Sequence, residues 1–142
     1  MQGFKKNLKA DFPERKVFSS RIFSKLERDR LMFKVCSYNN QDIQKGRLYY
    51  NERFEQFNRP HLEVQEVIDL INENGLACYY CDTETRICPK KKYCGKQFTL
   101  DRINNYSNHQ IANLKICCWS CNEIRSNKFT CEEFRRMRSA HA

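Results

Sequence analysis

Two cysteine pairs are the residues with the clearest chemistry in this sequence. Cys78 and Cys81 form one Cys-x-x-Cys pair, Cys118 and Cys121 form another, and 36 residues separate the two pairs. A gap of two residues lets both thiolates of one turn face the same ion, and two such turns complete a tetrahedral structural zinc site. A single pair would also suit a redox motif, whereas two pairs in one small chain favour zinc. The sequence therefore predicts Zn²⁺ bound by four thiolates.

The chain has nine cysteines, an odd number, and charged residues instead of an apolar segment follow Met1. The disulfide framework of a secreted domain is typical of an even number of cysteines behind a signal peptide. We therefore expect an intracellular protein, in the cytoplasm or, if viral, in the cytoplasm or nucleus of the host cell. Cys88 and Cys94 flank a basic turn and leave a second metal site open, although they lack ligand spacing. Free thiols are the main expectation for these two and for Cys36, Cys117 and Cys131.

A row of polar residues lies between and behind the two cysteine pairs. In chain order these residues are Asp101, Arg102, His109, Asn113 and Asn122. Together with the cysteine pairs, this order over residues 76 to 130 resembles the zinc-bearing branch of the HNH endonucleases, which includes phage endonuclease VII and several restriction and viral enzymes. In that family a ββα-metal fold arranges two strands and a helix around one divalent cation.

The resemblance implies a role for three of these residues. Asp101 is similar to the metal-binding Asp on the family's first strand, Asn122 to the metal-binding residue at the start of its helix, and Asn113 to the loop Asn that braces the turn. A carboxylate, an amide oxygen and phosphate oxygens suit Mg²⁺ or Mn²⁺, which prefer oxygen ligands. Such an ion would neutralise charge on the scissile phosphate. Taken singly, Asp101 would be a turn carboxylate and Asn122 a helix cap.

Arg102 departs from the family pattern, in which His follows the metal-binding Asp directly and acts as general base. A guanidinium accepts no proton at working pH, so Arg102 is expected to clamp a phosphate oxygen. His109 is the favoured base because imidazole titrates near neutrality, and Tyr80, between Cys78 and Cys81, is the alternative. An exposed loop position for His109 and core packing beside zinc for Tyr80 remain open.

The charge of the chain predicts a polyanionic partner. Lys and Arg number 26 against 17 Asp and Glu, a formal net charge of +9, and residues 1–59 carry +7 of it. Nucleic acid is the first expectation, and the resemblance implies double-stranded or branched DNA. No apolar run approaches the roughly 20 residues of a membrane span. The basic residues expected at the DNA backbone, with a solvated surface as the alternative, are Arg102, Arg125, Lys128, Arg21, Lys25 and Arg28.

The surrounding pattern indicates an α+β protein of two regions. Residues 1–59 read as a basic, mainly helical region for DNA grip or dimerisation, with a helix from Ser19 or Ser20 to about Cys36 and a polar connector over residues 37–59. Residues 60–142 read as the zinc-bound HNH module. Its expected elements are a helix ending at Gly75, a strand at Phe98-Thr99-Leu100, a second strand from Ile111 to Cys117 and a helix behind the capping box Thr130-Cys131-Glu132-Glu133.

The predicted function is thus metal-dependent hydrolysis of DNA phosphodiester bonds by a zinc-stabilised ββα-metal module, with Mg²⁺ or Mn²⁺ as the catalytic ion. One such centre cuts one strand, so double-strand cleavage would need a homodimer or two successive visits. A zinc-stabilised nucleic-acid-binding protein whose catalytic centre has lapsed is the alternative, and Arg102 keeps it open. A redox or thiol-regulated protein is a second alternative, which tightly bound zinc would exclude.

Overall fold

The computed structural model describes residues 21–48, 62–91 and 94–140. In these ranges four α-helices and a two-stranded antiparallel sheet form a mixed α+β fold, as the sequence predicts. None of the described helices has the combination of length and hydrophobicity that a membrane crossing requires. The elements in chain order are α1 (Lys25–Leu48), α2 (Val64–Asn74), β1 (Phe98–Arg102), β2 (Leu114–Cys118), α3 (Trp119–Arg125) and α4 (Cys131–Ala140).

Helix α1 extends further than its sequence pattern predicts. The predicted cap at Ser19 or Ser20 and residues 49–59 of the predicted connector lie outside the described residues. The predicted end near Cys36 is wrong, because the helix of 24 residues continues to Leu48 through a polar segment that contains no proline. Polarity alone is therefore no signal for a helix end when proline is missing.

Tertiary contacts stabilise the second half of α1. The side-chain amide of Asn39 donates to the carbonyl of Leu62 at 2.9 Å and accepts from its N–H at 3.2 Å. Four side chains recur at helical spacing on the face that turns inward: Leu31, Val35, Tyr38 and Asp42. The first two belong to the same apolar core as the β-hairpin. The boundary predicted at residue 60 consequently does not divide the core.

Helix α2 follows its prediction. Glu63 and Glu66 form a capping box at its start, and Gly75, with φ of 75°, ends it by donating its N–H to the carbonyl of Ile71 at 2.7 Å. A positive φ is accessible to glycine without steric cost, which makes it a suitable terminating residue. The predicted apolar face is buried and comprises Val67, Ile68 and Ile71.

The β-hairpin has two different faces because successive side chains of a strand alternate. Phe98, Leu100, Leu114 and Ile116 point into the main core. Thr99 and Asp101 lie on the opposite face, which is the face that α3 covers. The first predicted strand is confirmed and runs on to Arg102; the second begins only at Leu114, because Ile111–Asn113 form a 3-10 turn.

A second buried cluster holds α3 and α4 against the cysteines. Phe134 of α4 packs edge-on against Tyr80, with ring centroids 4.9 Å apart. The predicted capping box of α4 is confirmed: Thr130 N–H donates to Glu133 Oε1 at 2.9 Å, and Glu133 N–H donates to Thr130 Oγ1 at 3.1 Å. This cluster connects the cysteine pairs to the face of β1 that carries Asp101.

Candidate functional site

The four paired cysteines come together, as their spacing predicts. Their Sγ atoms all lie within 4.8 Å of one another, and those of Cys81 and Cys118 are 3.8 Å apart. A tetrahedral zinc ion with Zn–S bonds of about 2.3 Å spaces its sulfurs roughly 3.8 Å apart. The N–H of Cys121 donates to Cys118 Sγ at 3.4 Å. The group of Cys78, Cys81, Cys118 and Cys121 could therefore hold a metal ion such as zinc.

The surroundings of the cluster accommodate its negative charge. The pKa of Cys78 lies well below its usual value because Cys117 and Cys118 donate hydrogen bonds to it. The pKa of Arg138, on α4, is raised, chiefly by the negative charge at Cys121. Its guanidinium thus offsets part of the charge that four thiolates and one divalent cation would carry.

The cysteines outside the cluster are free thiols. Cys117 is buried beside the cluster, and its Sγ lies 3.2 Å from the carbonyl oxygen of Cys118. Cys88 and Cys94 are half-buried and belong to no group of potential metal ligands in the described ranges. The structure thus provides one four-cysteine group there and no second one.

Asp101 lies at the centre of a buried polar cluster between β1 and α3. Its Oδ2 accepts from Arg125 Nη1 at 2.6 Å and from the hydroxyl of Tyr80. Asp101 is 6% exposed and Arg125 only 1%. The guanidinium also donates to three backbone carbonyls, those of Arg102 at 2.6 Å, Ile103 at 3.2 Å and Phe129 at 3.2 Å. The predicted DNA contact through Arg125 is wrong, because its side chain is buried and its donors are committed.

Tyr80 orients Asp101. Its ring is buried beside Phe134, its hydroxyl donates to Asp101, and that hydroxyl lies 3.4 Å from Cys131 Sγ. Burial, and then the hydrogen bond to Asp101, raise its pKa far above the usual value of a phenol. A hydroxyl that donates to a carboxylate and resists ionisation is a poor base. The alternative assignment of Tyr80 as general base is therefore wrong.

Asn122 lies on the same side of the hairpin as Asp101. Its Nδ2 donates to Thr99 Oγ1 at 3.2 Å, and Thr99 shares a face of β1 with Asp101. The hydrogen bonds that these two side chains form with described residues use Oδ2 of Asp101 and Nδ2 of Asn122, and not Oδ1 of either one. The two residues with predicted metal ligands are therefore on one face, each with an oxygen left over, and no hydrogen bond joins them.

Asn113 closes the loop between the two strands. Its Oδ1 accepts from the N–H of Asn104 at 2.9 Å, and its Nδ2 donates to the carbonyls of Asn104 at 3.1 Å and Asn108 at 3.0 Å. The backbone adds a bond from Ile103 N–H to the Asn113 carbonyl at 2.8 Å. These contacts give Asn113 the bracing position that the resemblance implies.

His109 forms a buried pair with Asp42 of α1. The sequence pattern did not single out Asp42. Nδ1 of His109 is 2.7 Å from Asp42 Oδ1, and its backbone N–H donates to Asp42 Oδ2 at 2.8 Å. Asp42 is 1% exposed and His109 6%. The Tyr38 ring stacks on the imidazole, with centroids 4.5 Å apart. The alternative of an exposed loop position for His109 is therefore wrong.

Arg102 lies within electrostatic range of both buried carboxylates, Asp42 and Asp101. It is half-buried, and its Nη1 donates to the carbonyl of Ser107 at 3.2 Å. Its pKa is lowered, chiefly by burial, while Asp42 and Asp101 both act to raise it. Both carboxylates therefore interact with one guanidinium, which places the Asp42–His109 pair and the Asp101 cluster in one electrostatic environment.

A cavity of about 570 Å³ opens beside this environment, between α1, the loop after β1 and the turn after α3. Lys45 and Lys128 contribute positive charge to its wall, and Asn104 and Asn127 contribute amides. Lys128 is exposed, as a predicted DNA contact must be. The wall thus combines two ammonium groups and two amides with the carboxylate of Glu133.

The three basic residues predicted at the start of α1 are not joined to this cavity by any described contact. Arg21 forms an ion pair with Glu27, and its guanidinium lies 5.2 Å above the ring of Phe23. Lys25 and Arg28 are exposed on α1. They supply positive surface, and their contact with DNA stays a prediction.

Comparisons of this chain with protein-family models, with curated proteins and with solved structures found no match. The HNH resemblance therefore depends on the residues themselves, above all on the two cysteine pairs and on the order of Asp101, Asn113 and Asn122. The function has to be inferred from the geometry of those residues.

Proposed function

We propose that this protein is a metal-dependent endonuclease that hydrolyses DNA phosphodiester bonds through a ββα-metal site formed by β1, β2 and α3. The observation that carries the proposal is that Asp101 on β1 and Asn122 on α3 lie on the same side of the hairpin. Their side chains lie on one face of a hairpin whose helix is fixed by the four-cysteine group. This is the arrangement that the HNH resemblance implies.

The donor set on this face is compatible with Mg²⁺ or Mn²⁺. Asp101 uses Oδ2 for Tyr80 and Arg125, and its Oδ1 is left without a partner among the described residues. Carboxylates that bind a metal commonly also accept hydrogen bonds from neighbouring protein groups, which orient them. Asp101 and Asn122 would hold the ion through their Oδ1 atoms. When bound, the ion would neutralise charge that develops on the phosphate.

The neighbouring cations would position the DNA backbone. Arg102 is placed next to Asp101, and Lys45 and Lys128 flank the adjoining cavity. Guanidinium and ammonium groups bind phosphate oxygens and account for most of the affinity that is independent of sequence. These three residues are proposed to grip the strand that is cut.

A second function is favoured by the Asp101–Arg125 pair. A buried guanidinium 2.6 Å from the carboxylate already neutralises its charge, which weakens the attraction for a second cation. A zinc-stabilised nucleic-acid-binding protein without hydrolytic activity would retain this ion pair at no functional cost. Metal-dependent cleavage separates the two functions.

One centre of this kind cuts one strand, so we propose that double-strand cleavage requires a homodimer. Three large apolar side chains, Ile22, Leu26 and Phe33, are exposed near the start of α1 and supply surface for such a contact. A plasmid would then be linearised without a nicked intermediate when the dimer is populated. Accumulation of nicked circles at every protein concentration would contradict the dimer.

The test of the proposed function is cleavage of a supercoiled plasmid by zinc-loaded protein with Mg²⁺ or Mn²⁺, beside EDTA controls. Asp101→Asn and Asn122→Ala are expected to lower cleavage by roughly 10²-fold or more, the order found when a charge-stabilising group is removed from an active site. Asn74→Ala, exposed at the end of α2, is the matched control and should cleave like the wild type.

Binding is measured in parallel by fluorescence anisotropy with a labelled duplex and a labelled four-way junction. The Asp101→Asn and Asn122→Ala variants should bind both DNA substrates with nearly unchanged affinity. Wild-type protein that binds DNA but leaves the plasmid intact with every divalent ion would overturn the hydrolase and support the second function. Discrete cleavage products, as opposed to a smear, would indicate that the target sequence or structure is recognised.

A further inference from the structure

We propose that Asp42 of α1 is a positioning residue that holds the Nδ1–H of His109 and leaves Nε2 of the imidazole to accept the proton of the attacking water. The inference depends on the proposed hydrolase function. It gives the N-terminal helix a part in the active site, although that helix lies outside residues 76 to 130, which carry the HNH resemblance.

The hydrogen bonds of Asp42 determine the tautomer of His109. The backbone N–H of His109 is always a donor and is accepted by Oδ2 at 2.8 Å. Oδ1 faces Nδ1 at 2.7 Å. A carboxylate can only accept hydrogen bonds, so Nδ1 must carry the proton in this pair. Nε2 of the neutral imidazole is then the nitrogen that is able to take a proton.

The orientation of the ring is determined as well. Tyr38 stacks on the imidazole at 4.5 Å with 18° between the ring planes, and its hydroxyl accepts the N–H of Leu100 at 3.2 Å. Leu100 directly precedes Asp101 on β1. One aromatic side chain of α1 therefore connects the imidazole to the strand that carries the proposed metal ligand. A carboxylate hydrogen-bonded to an imidazole fixes its tautomer and restricts its rotation.

The charged groups that face this pair are Arg102 of β1 and Lys45 of α1, both of which interact with Asp42. Arg102 stands where the resemblance would place a histidine base and cannot accept a proton. His109 is the sole histidine in the described ranges. An imidazole whose tautomer is fixed by Asp42 thus supplies the proton acceptor that Arg102 cannot be. The two cations beside it are suited to binding phosphate.

The proton and electron movements balance with water alone. One water loses a proton to His109 Nε2 while its oxygen forms a bond to phosphorus. The bond from phosphorus to O3′ breaks, and O3′ leaves with the electron pair and takes a proton from a second water. The imidazolium returns its proton to the resulting hydroxide, leaving a 5′-phosphate and a 3′-hydroxyl.

The test is Asp42→Asn in the full zinc-loaded chain. An Asn side chain has one oxygen, which the backbone N–H of His109 would occupy, so its NH₂ would face Nδ1 and force the Nε2–H tautomer. We expect ¹⁵N NMR of the imidazole to show Nδ1–H in the wild type and Nε2–H in the variant. The chain has three histidines, and His109→Gln assigns the signal. Asp29→Asn, exposed on the same helix, is the matched control.

Cleavage kinetics supply the second measurement. Asp42→Asn and His109→Gln should lower kcat by about 10²–10⁴-fold, the usual contribution of general-base catalysis, with KM and DNA affinity nearly unchanged. A merely structural role for the pair would lower thermal stability without separating kcat from KM. It would also leave cleavage by the folded fraction intact.

Several results would overturn the inference. An Nε2–H tautomer at His109 in the wild type would do so, because Asp42 would then not hold Nδ1–H. A folded Asp42→Asn or His109→Gln protein that cuts DNA like the wild type would do so as well, while the proposed function stood. Wild-type protein that cuts nothing would remove the hydrolase and the base role together, and it is recognised from the wild-type reaction alone.

Discussion

Nη1 of Arg125 lies 2.6 Å from Oδ2 of Asp101, and this buried ion pair ties α3 to β1. Tyr80, between Cys78 and Cys81, donates to the same oxygen. A single carboxylate oxygen is thus the point where the turn of Cys78 and Cys81, the strand β1 and the helix α3 meet. Buried charges are tolerated when they are paired, and the two partners of this carboxylate oxygen come from different segments.

We predict that Arg125→Ala destabilises the protein by about 3–5 kcal/mol, because it leaves the Asp101 carboxylate buried without its counter-charge. Urea unfolding followed by circular dichroism measures the free energy. Arg136→Ala, on the exposed side of α4, should change it by no more than about 0.5 kcal/mol. Equal stability of the two variants would show that the ion pair does not stabilise the fold.

The four-cysteine group should bind one equivalent of zinc that survives dialysis. Structural zinc contributes on the order of 10–16 kcal/mol of binding free energy, so Cys78→Ser or a strong chelator should unfold the module. Cys36→Ser, at an exposed thiol of α1, is the control and should keep both zinc and fold. Zinc content by mass spectrometry decides the outcome, and a wild type that folds without bound metal would refute the prediction.

Asn113→Asp should cost on the order of 2–3 kcal/mol, although the side chain keeps its shape. The substitution removes two amide donors and turns a carboxylate toward the carbonyls of Asn104 and Asn108. The thermal midpoint reports the loss. The same exchange at exposed Asn127 should be nearly neutral, and a neutral result at both positions would mean that the loop does not depend on this brace.

The capping box of α4 predicts a small dependence of stability on pH. The pKa of Glu133 is lowered because the backbone N–H and the hydroxyl of Thr130 hydrogen-bond to its carboxylate. The contribution of the ionised Glu133 to folding stability is therefore complete above the ordinary Glu pKa of 4.5, and it is lost as the pH falls through the lowered pKa. The difference in thermal midpoint between wild type and Glu133→Gln should shrink from pH 6 to pH 3. A constant difference would contradict this.

Lys128→Ala is predicted to weaken binding to a DNA duplex a few-fold at all sequences and to reduce the slope of log affinity against log salt by about one. Lys128 is exposed and lines the basic cavity beside Arg125. Lys90→Ala, exposed in the loop before β1, should leave the slope unchanged. Identical salt dependence in the two variants would place the DNA elsewhere on the surface.

Much of the fold was predictable because its signals are local. The cysteine spacing predicted the four-sulfur group, and apolar spacing with a terminal glycine predicted α2. The Thr130 capping box predicted the start of α4 in the same way. Each of these signals is contained within a few neighbouring residues, so no tertiary contact had to be known.

The errors concern residues whose state depends on distant partners. Arg125 reads as a surface cation, and its burial follows only from the placement of Asp101 and of three backbone carbonyls. Asp42 falls in a polar segment that reads as a connector. The continued spacing of Leu31, Val35 and Tyr38 was the one signal that Asp42 extends the inward face of α1.

Helix α3 is seven residues long, too short to be stable by itself. Cys118 caps it, Cys121 lies within it, and Asn122 and Arg125 follow on the same short segment. An oxidant that linked these thiols in a disulfide would eject the ion and free the helix. The face of Asp101 and Asn122 would then be lost without any reaction at either residue.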